Sequence, residues 1–383
     1  MIKLSLTGVA VAAVIAAVPH VVRHGVPPGV ARVAPPAHLT QVAAFDHQVT
    51  GVSVARDGRI FVNFPRWTED APVSVGEVMK DGSVRPYPDA EWNAWRNAKK
   101  NQITPGDHWV CVQSVVADGR GNLWVLDPAA PANGAIVPGG PKLVRIDLAT
   151  NRAAQTIRFD TTVAPNGSYL NDVRFSPDGR AAYITDSGGQ GALVVVDLQA
   201  GTARRLLAAH PSVQAEKDVV VHADGRELRR SDGRGVEFAS DGIALSPDGQ
   251  SLYYQALTGR TLYRVPTTAL RDPSLSAEAL GARVERIGTT NVADGLWMTG
   301  DGRLYVTAPE ENAVRVRETD GRMTPVVSDA RLRWPDTFSQ GPDGAIYVTA
   351  SHIQDMNWYK PQHPKALPTA LFRIDDGRPA TTR

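Results

Sequence analysis

Asp241, Asp294, Asp336 and Asn171 stand at the same place in a recurring pattern. Each lies eight residues before a glycine at the centre of a turn: Gly249, Gly302, Gly344 and Gly179 respectively. The same count back from Gly58 and Gly119 reaches Thr50 and Cys111. If the repeats are arranged about one axis, these six positions converge. Carboxylates brought together repel, so such a cluster needs a cation, a shared proton or a ligand ammonium. Two readings stand open. In one, the Asp and Asn side chains accept hydrogen bonds from loop N–H groups and shape the entry to a strand. In the other, three or four oxygens point into a common space and bind a polar ligand or a divalent cation, Ca²⁺ foremost.

The elements that must position them are short strands. The copies read TGVSVARDGRIFVNF (50–64), CVQSVVADGRGNLWVLD (111–127), NDVRFSPDGRAAYITD (171–186), DGIALSPDGQSLYYQ (241–255), DGLWMTGDGRLYVTA (294–308) and DTFSQGPDGAIYVTA (336–350). Each is a β-rich run, an Asp-Gly or Gly-centred turn and a second β-rich run. Asp-Gly is expected to supply the positive-φ positions of a tight hairpin. A second hairpin follows each copy, as in ALVVVDLQAGTARRLL (192–207). Two hairpins make a four-stranded blade, and a repeat of this length built from strands predicts a β-propeller. The fold class is therefore all-β, a six-bladed propeller over residues 38–377. HLTQVAAF (38–45) lies too far upstream for the first blade and is expected to add the outermost strand of the last, closing the ring. The extra hairpin VVVHADGRELRR (219–230) reads as a protruding loop, and DAEWNAWRNAKK (89–100) as a short helix or turn covering one face.

The first strand of a blade lines the central channel, and the loops after the second strands lie on the same face as the strand starts. That face collects Phe64, Arg66, Trp67, Asp186, Gln255 and His352 around the polar ring, and with Asp336 these are the candidate ligand-binding residues. Trp67 and Phe64 are candidates for stacking on a ligand. Arg66 suits an anionic ligand or packing on Trp67. His352 could serve as a general base with Asp336 or Asp355, or as a surface residue. Cys111 reads as a small buried hydrophobe. No G-x-S-x-G elbow is present, so a Ser-His-Asp hydrolase is not supported.

Composition excludes other classes. The net charge is +1, from 41 basic and 40 acidic residues, which gives no electrostatic footprint for nucleic acid. One cysteine rules out an intrachain disulfide. Lys3 followed by LSLTGVAVAAVIAAV (4–18) has the order of an export signal, so residues 1–22 are expected to be a signal peptide or N-terminal anchor. Residues 23–37 are a Pro-rich linker, and 378–383 a tail. The expected location is secreted or periplasmic, with membrane attachment only through that anchor, and the expected state is a monomer.

Several segments resemble the major royal jelly protein / Yellow family: VNFPRW (62–67), RPYPDAEWN (85–93), the stretch 170–212 beginning LNDVRFSPDGRAAYITDSGG, DGIALSPDGQSLYYQALTGRTLYRVP (241–266), VADGLWMTGDGRLYVTAPEENAV (292–314) and WPDTFSQGPDGAIYVTAS (334–351). The resemblance implies a six-bladed, usually secreted propeller. Some members bind small amines in the channel mouth, and others are linked to dopachrome chemistry. A fold of this kind does not by itself fix a reaction. A weaker resemblance is to the senescence marker protein / gluconolactonase family. It implies metal ligands at Asn171, Asp241 and Asp294, with Asp172 and Asp294 in catalytic roles. Here Asp241 stands where that family has Asn, and Thr50 stands where it has a metal-binding Glu. The sequence thus predicts an exported propeller binding a small polar or aromatic-amine-like molecule at the channel mouth. The alternative is a divalent-metal-dependent hydrolase of sugar lactones, in which a cation polarises the carbonyl.

Overall fold

A computed structural model describes residues 37–67, 70–131, 134–362 and 366–377. The expected leader (1–22), nearly all of the linker and the tail 378–383 lie outside the described residues. Among those described, no helix is long and apolar enough to cross a membrane.

Six four-stranded antiparallel sheets stand in chain order, as the repeats predict. Their innermost strands are Val52–Val54, Ser114–Ala117, Leu170–Phe175, Ser240–Leu245, Leu296–Met298 and Pro335–Gln340. Blade 3 shows how sequence sets depth. Its second strand, AAYITD (Ala181–Asp186), is buried throughout, whereas its outermost, TARRL (Thr202–Leu206), is largely half-buried. Alternation divides the blade between two neighbours. Ile184, Val194 and Val196 pack with Trp124 and Leu126 of blade 2. Tyr183 and Val195 pack with Ile243 and Tyr254 of blade 4. A strand buried on both faces reads as a near-continuous apolar run, which is what these inner strands show.

The repeat glycines Gly58, Gly119, Gly179, Gly249, Gly302 and Gly344 all take positive φ, between 68° and 84°. The Asp beside them does not. Instead the Asp57, Asp178 and Asp248 carboxylates accept from the N–H two residues on, at 3.0–3.1 Å. The Asp-Gly expectation is thus corrected: glycine alone supplies the left-handed residue, and Asp bridges the turn with its side chain.

The last blade is closed as expected. His38–Phe45 pairs antiparallel with Thr369–Asp375, from His38 opposite Asp375 to Phe45 opposite Thr369. The extra hairpin forms, His222–Ala223 against Arg226–Glu227, but it does not protrude. Val221, Ala223 and Leu228 are buried in one cluster with Trp67, Trp334 and Ile353, because apolar side chains on this hairpin face the propeller rather than water. Residues 89–100 form turns and a single 3₁₀ turn, Asn97–Lys99, and bury Trp95 in the same cluster.

The closing strand is a test of the fold. Phe45 is buried and meets Phe64 edge-on, with ring centroids 5.4 Å apart. Phe45→Ala should destabilise the chain by about 3–5 kcal/mol, read as a lower urea midpoint. A variant as stable as the parent would mean that this strand does not hold the ring shut.

Candidate functional site

Counting from the first turn residue rather than the glycine puts the ring in register. The turns open with the N–H of Ala55, Asp118, Ser176, Ser246, Thr299 and Gly341 donating across to the returning strand. Five residues before each stand Thr50, Gln113, Asn171, Asp241, Asp294 and Asp336. In blade 2 the turn is Asp118 to Asn122, and its counterpart glycine is Gly121, with φ +82°. The ring position is therefore Gln113, not Cys111, which lies two residues upstream. The doubled glycine of DGRG is the sequence feature that marks this shift.

Trp67, Gln113, Tyr169, Asn171, Asp241, Asp294, Trp334, Asp336 and Trp358 are among the walls of a cavity of about 40 Å³ at this end of the channel. Hydrogen bonds tie the ring together. Gln113 Nε2 donates to Asn171 Oδ1 at 3.3 Å, and Asn171 Nδ2 donates to Asp241 Oδ2 at 2.9 Å and to Ser187 Oγ at 2.9 Å. Trp334 Nε1 donates to Asp294 Oδ2 at 2.6 Å. Tyr169, the second residue missed in the sequence, accepts from Trp67 Nε1 at 2.6 Å and donates to Gln113 Oε1 at 3.0 Å. Above the ring an apolar cap is built from Trp67, Val221, Leu228, Ile353 and Met356, with Phe238, Trp358 and Tyr359 against it.

The three carboxylates have no cationic neighbour in this lining. Arg333 and Lys360, which belong to the loops nearby, pair with Asp355 and Asp224 instead. Burial therefore dominates the ring's electrostatics. It raises Asp241 well above the usual carboxylate range, with the charges of Asp294, Asp172 and Asp336 adding to the rise. Burial likewise raises Asp336, with Asp294 and Asp172 adding. Asp294 is pushed up to about 7 by burial, against the Trp334 hydrogen bond that lowers it. A hydrogen bond between the Asp241 and Asp294 carboxyls raises the former and lowers the latter. Burial and the neighbouring acids thus favour the protonated form of these carboxyls.

The remaining sequence candidates fall elsewhere. Asp186 accepts from Ser168 Oγ at 2.6 Å, Tyr169 N at 2.7 Å and Gly188 N at 3.0 Å, and pairs with Arg205. Asp127 does the same for Val110 and Cys111 in blade 2 and holds Lys142 Nζ at 2.9 Å. The loop-shaping role considered for the ring thus belongs to carboxylates at the ends of second strands. Arg66 is fully buried and donates to Ala71 O, Val110 O and Asn93 O at 3.0–3.3 Å, so its guanidinium holds loops together. Phe64 sits between blades 1 and 6 in the core. Gln255 Nε2 donates to Gly259 O and Asn291 O at 3.1 and 2.8 Å. His352 takes a left-handed φ of 52° ahead of a 3₁₀ turn and is not in the cavity wall. Asp172 lies buried along the channel, accepting from Ser114 Oγ at 3.2 Å and 3.6 Å from Arg174 NH2.

These residues do not fit a divalent cation. Asn171 directs an N–H, not an oxygen, at Asp241, and Asp294 is turned to the Trp334 N–H. Thr50 supplies no charge; its hydroxyl accepts from Asn63 Nδ2 at 2.9 Å. Among the described residues no three His, Cys, Asp or Glu side chains are grouped to hold a metal ion.

The sequence model for the major royal jelly protein family matches residues 110–360. The chain belongs to this family. Major royal jelly protein 5 of Apis mellifera is 27% identical over 225 residues, 55% of this chain and 34% of that protein. Major royal jelly protein 1 of the same organism is 27% identical over 229 residues, 56% of this chain and 49% of that protein. The chain thus aligns with half or less of the length of these curated relatives. Solved propellers share the fold at low identity. A gluconolactonase from Xanthomonas campestris superposes with a TM-score of 0.52 at 13% identity, covering 88% of this chain and 89% of that one. Regucalcin from Agrobacterium tumefaciens, described as a calcium-binding protein, gives 0.51 at 17%, covering 91% and 97%. The matched region holds five of the six ring positions, all but Thr50.

The ring carries a linkage prediction. A raised native pKa means that the folded chain holds protons the unfolded chain releases. The stability associated with Asp294 is full below about pH 4, where the unfolded carboxyl is also protonated, and is lost as pH rises toward 7. Asp294→Asn should therefore melt progressively higher than the parent across that window, with the gap levelling off above it. A gap independent of pH would show that Asp294 is not held protonated.

Proposed function

We propose that this propeller binds a small organic ammonium ion, one with an aromatic or apolar body, at the acidic ring. The observation that carries the reading is the cluster of Asp241, Asp294 and Asp336, buried without a cationic partner in the cavity wall, where burial and mutual charge favour the protonated acids. A ligand ammonium would take the place of those protons and accept the ring's negative charge. Trp67, Tyr169, Trp334 and Trp358 provide the aromatic wall, and cation–π contact suits the same ligand class. Pockets for small molecules pair such walls with a few placed polar groups.

A cavity of about 40 Å³ is far below the roughly 300–1,000 Å³ of small-molecule pockets. Ligand entry on this reading therefore requires the cap to move. The element to move is the inserted hairpin with the Trp358 loop. They are joined by one backbone bond, Ser231 N to Trp358 O at 3.1 Å, by Arg230 lying 5.6 Å over the Trp358 ring, and by Lys360 Nζ donating to Asp224 Oδ2 at 3.2 Å. We also propose export through residues 1–22. A reporter fused after residue 40 should be active only outside the cytoplasm, and full activity of a cytoplasm-only reporter would refute this.

Phenethylamine, with phenethyl alcohol as the neutral control, separates a charge site from a merely apolar one. Calorimetry near neutral pH in buffers of different ionisation heat should show amine binding with proton release and no binding of the alcohol. Asp336→Asn keeps the shape and removes the charge, and should weaken amine binding by about 1–3 kcal/mol. If affinities are unchanged in Asp336→Asn, or no amine binds, the ring is architectural.

A further inference from the structure

The other end of the channel opens into a much larger cavity, about 520 Å³, walled by the far ends of the inner strands and their turns. That is within the roughly 300–1,000 Å³ of small-molecule pockets. Its chemistry is the reverse of the acidic ring's. The lining carries three arginines, Arg56, Arg120 and Arg174, against one carboxylate, Asp118. Asp118 is already engaged. It accepts from Arg120 N at 2.8 Å, Asn122 Nδ2 at 2.9 Å and Trp124 Nε1 at 3.1 Å.

Arg174 is buried, and its guanidinium lies 5.8 Å over the Trp297 ring. NH1 donates to Val173 O at 2.8 Å and NH2 to Leu296 O at 2.9 Å, while Nε has no acceptor. A buried guanidinium N–H without an acceptor is costly and uncommon. Among the described residues Asp172, 3.6 Å from NH2, is the one acid that pairs with it. At the rim Arg120 reaches Pro177 O at 2.8 Å and its Nε lies 3.9 Å from Asp118 Oδ2, and Arg56 is exposed. Phe175, Trp297 and Phe338 add aromatic wall between rim and floor.

We infer that this turn-side cavity is a second ligand site, one that takes a small organic anion with an aromatic body, an aryl carboxylate being the simplest. The ring of the ligand would lie against Phe175, Trp297 and Phe338. The carboxylate would face the arginines, meeting Arg56 and Arg120 at the rim and Arg174 within. Arginine suits this ligand because its planar fork matches carboxylate geometry and it stacks on aromatic faces. The inference is independent of the amine reading, since the two cavities share no lining residue.

Benzoate is the probe, with benzamide as its neutral isostere, titrated at low salt into the full chain by calorimetry and thermal shift. Benzoate should bind and raise the melting temperature, and benzamide should do neither. Arg56→Glu, an exposed change that leaves the fold intact, should weaken benzoate by about tenfold or more, the range for a charge-assisted contact. Arg174→Lys keeps the charge but loses the fork, and should weaken it similarly. Because Arg174 is buried, Arg56→Glu is the deciding variant. No benzoate binding at millimolar concentration, equal binding of benzamide, or unchanged affinity in Arg56→Glu would each overturn the inference.

Discussion

Six sheets closed about one axis must bring the entry of every inner strand to the same place. Nothing at that place can move aside without opening the ring. Closure depends on the antiparallel pairing of His38–Phe45 with Thr369–Asp375, which ties the two ends of the propeller into one blade. The same closure places a polar residue from every blade around the channel. Thr50, Gln113 and Asn171 meet this confinement with hydroxyl and amide groups that bond laterally. Asp241, Asp294 and Asp336 accept from Asn171, Trp334 and Thr337, and burial raises the pKa of each. The acidic ring is therefore a consequence of closure acting on particular side chains, and its unusual acidity follows from burial rather than from any one partner.

The channel is consequently polarised along its length. One end carries the three buried carboxylates under an aromatic cap, and the other carries Arg56, Arg120 and Arg174. Asp172, which lines neither cavity, lies 3.6 Å from Arg174, and both are buried. Burial raises the Asp172 pKa and lowers that of Arg174, while each charge partly restores the other. Asp172 also adds to the rise at Asp241, Asp294 and Asp336. The pair is thus the electrostatic connection between the two ends.

Much of this was legible in the sequence, and the failures have physical causes. Blade number, strand pairing and the closing strand follow from the repeat, because period-two apolar runs and turn glycines are local signals. The ring was legible for Asn171, Asp241, Asp294 and Asp336 because a fixed spacing from the turn survives in those blades. It failed in blade 2, where Gly121 rather than Gly119 holds the turn position and Gln113 is the ring member. Loop residues fared worse. Phe64, Arg66, Asp186 and Gln255 share a face with Trp67, but whether such a side chain turns to the channel or to its own loop is set by tertiary partners. For Arg66 those partners are carbonyls up to 44 residues away in the chain. The inserted hairpin was misread for a similar reason. Its polar turn looks solvent-bound, and nothing local shows that Val221, Ala223 and Leu228 find a partner surface.

The ring's composition bears on what it is for. A strand entry at this channel can be satisfied without charge, as Asn171 shows by donating to both Asp241 and Ser187. An amide at positions 241, 294 and 336 would give the same shape without the burden of burying an ionisable acid. Three blades nonetheless carry carboxylates, packed closely enough that Asp294 raises the pKa of both Asp241 and Asp336, and Asp336 that of Asp241. Buried acids held in this state weaken the fold as pH rises toward neutrality, so fold stability does not explain them. Strongly shifted groups gathered beside a cavity are more often the mark of a working site than of an architectural one. Among the described residues the inserted two-stranded hairpin occurs once, and its Val221, Ala223 and Leu228 are buried in the cap. The acidic ring and its cover thus form one unit, buried acids of raised pKa beneath an aromatic cap.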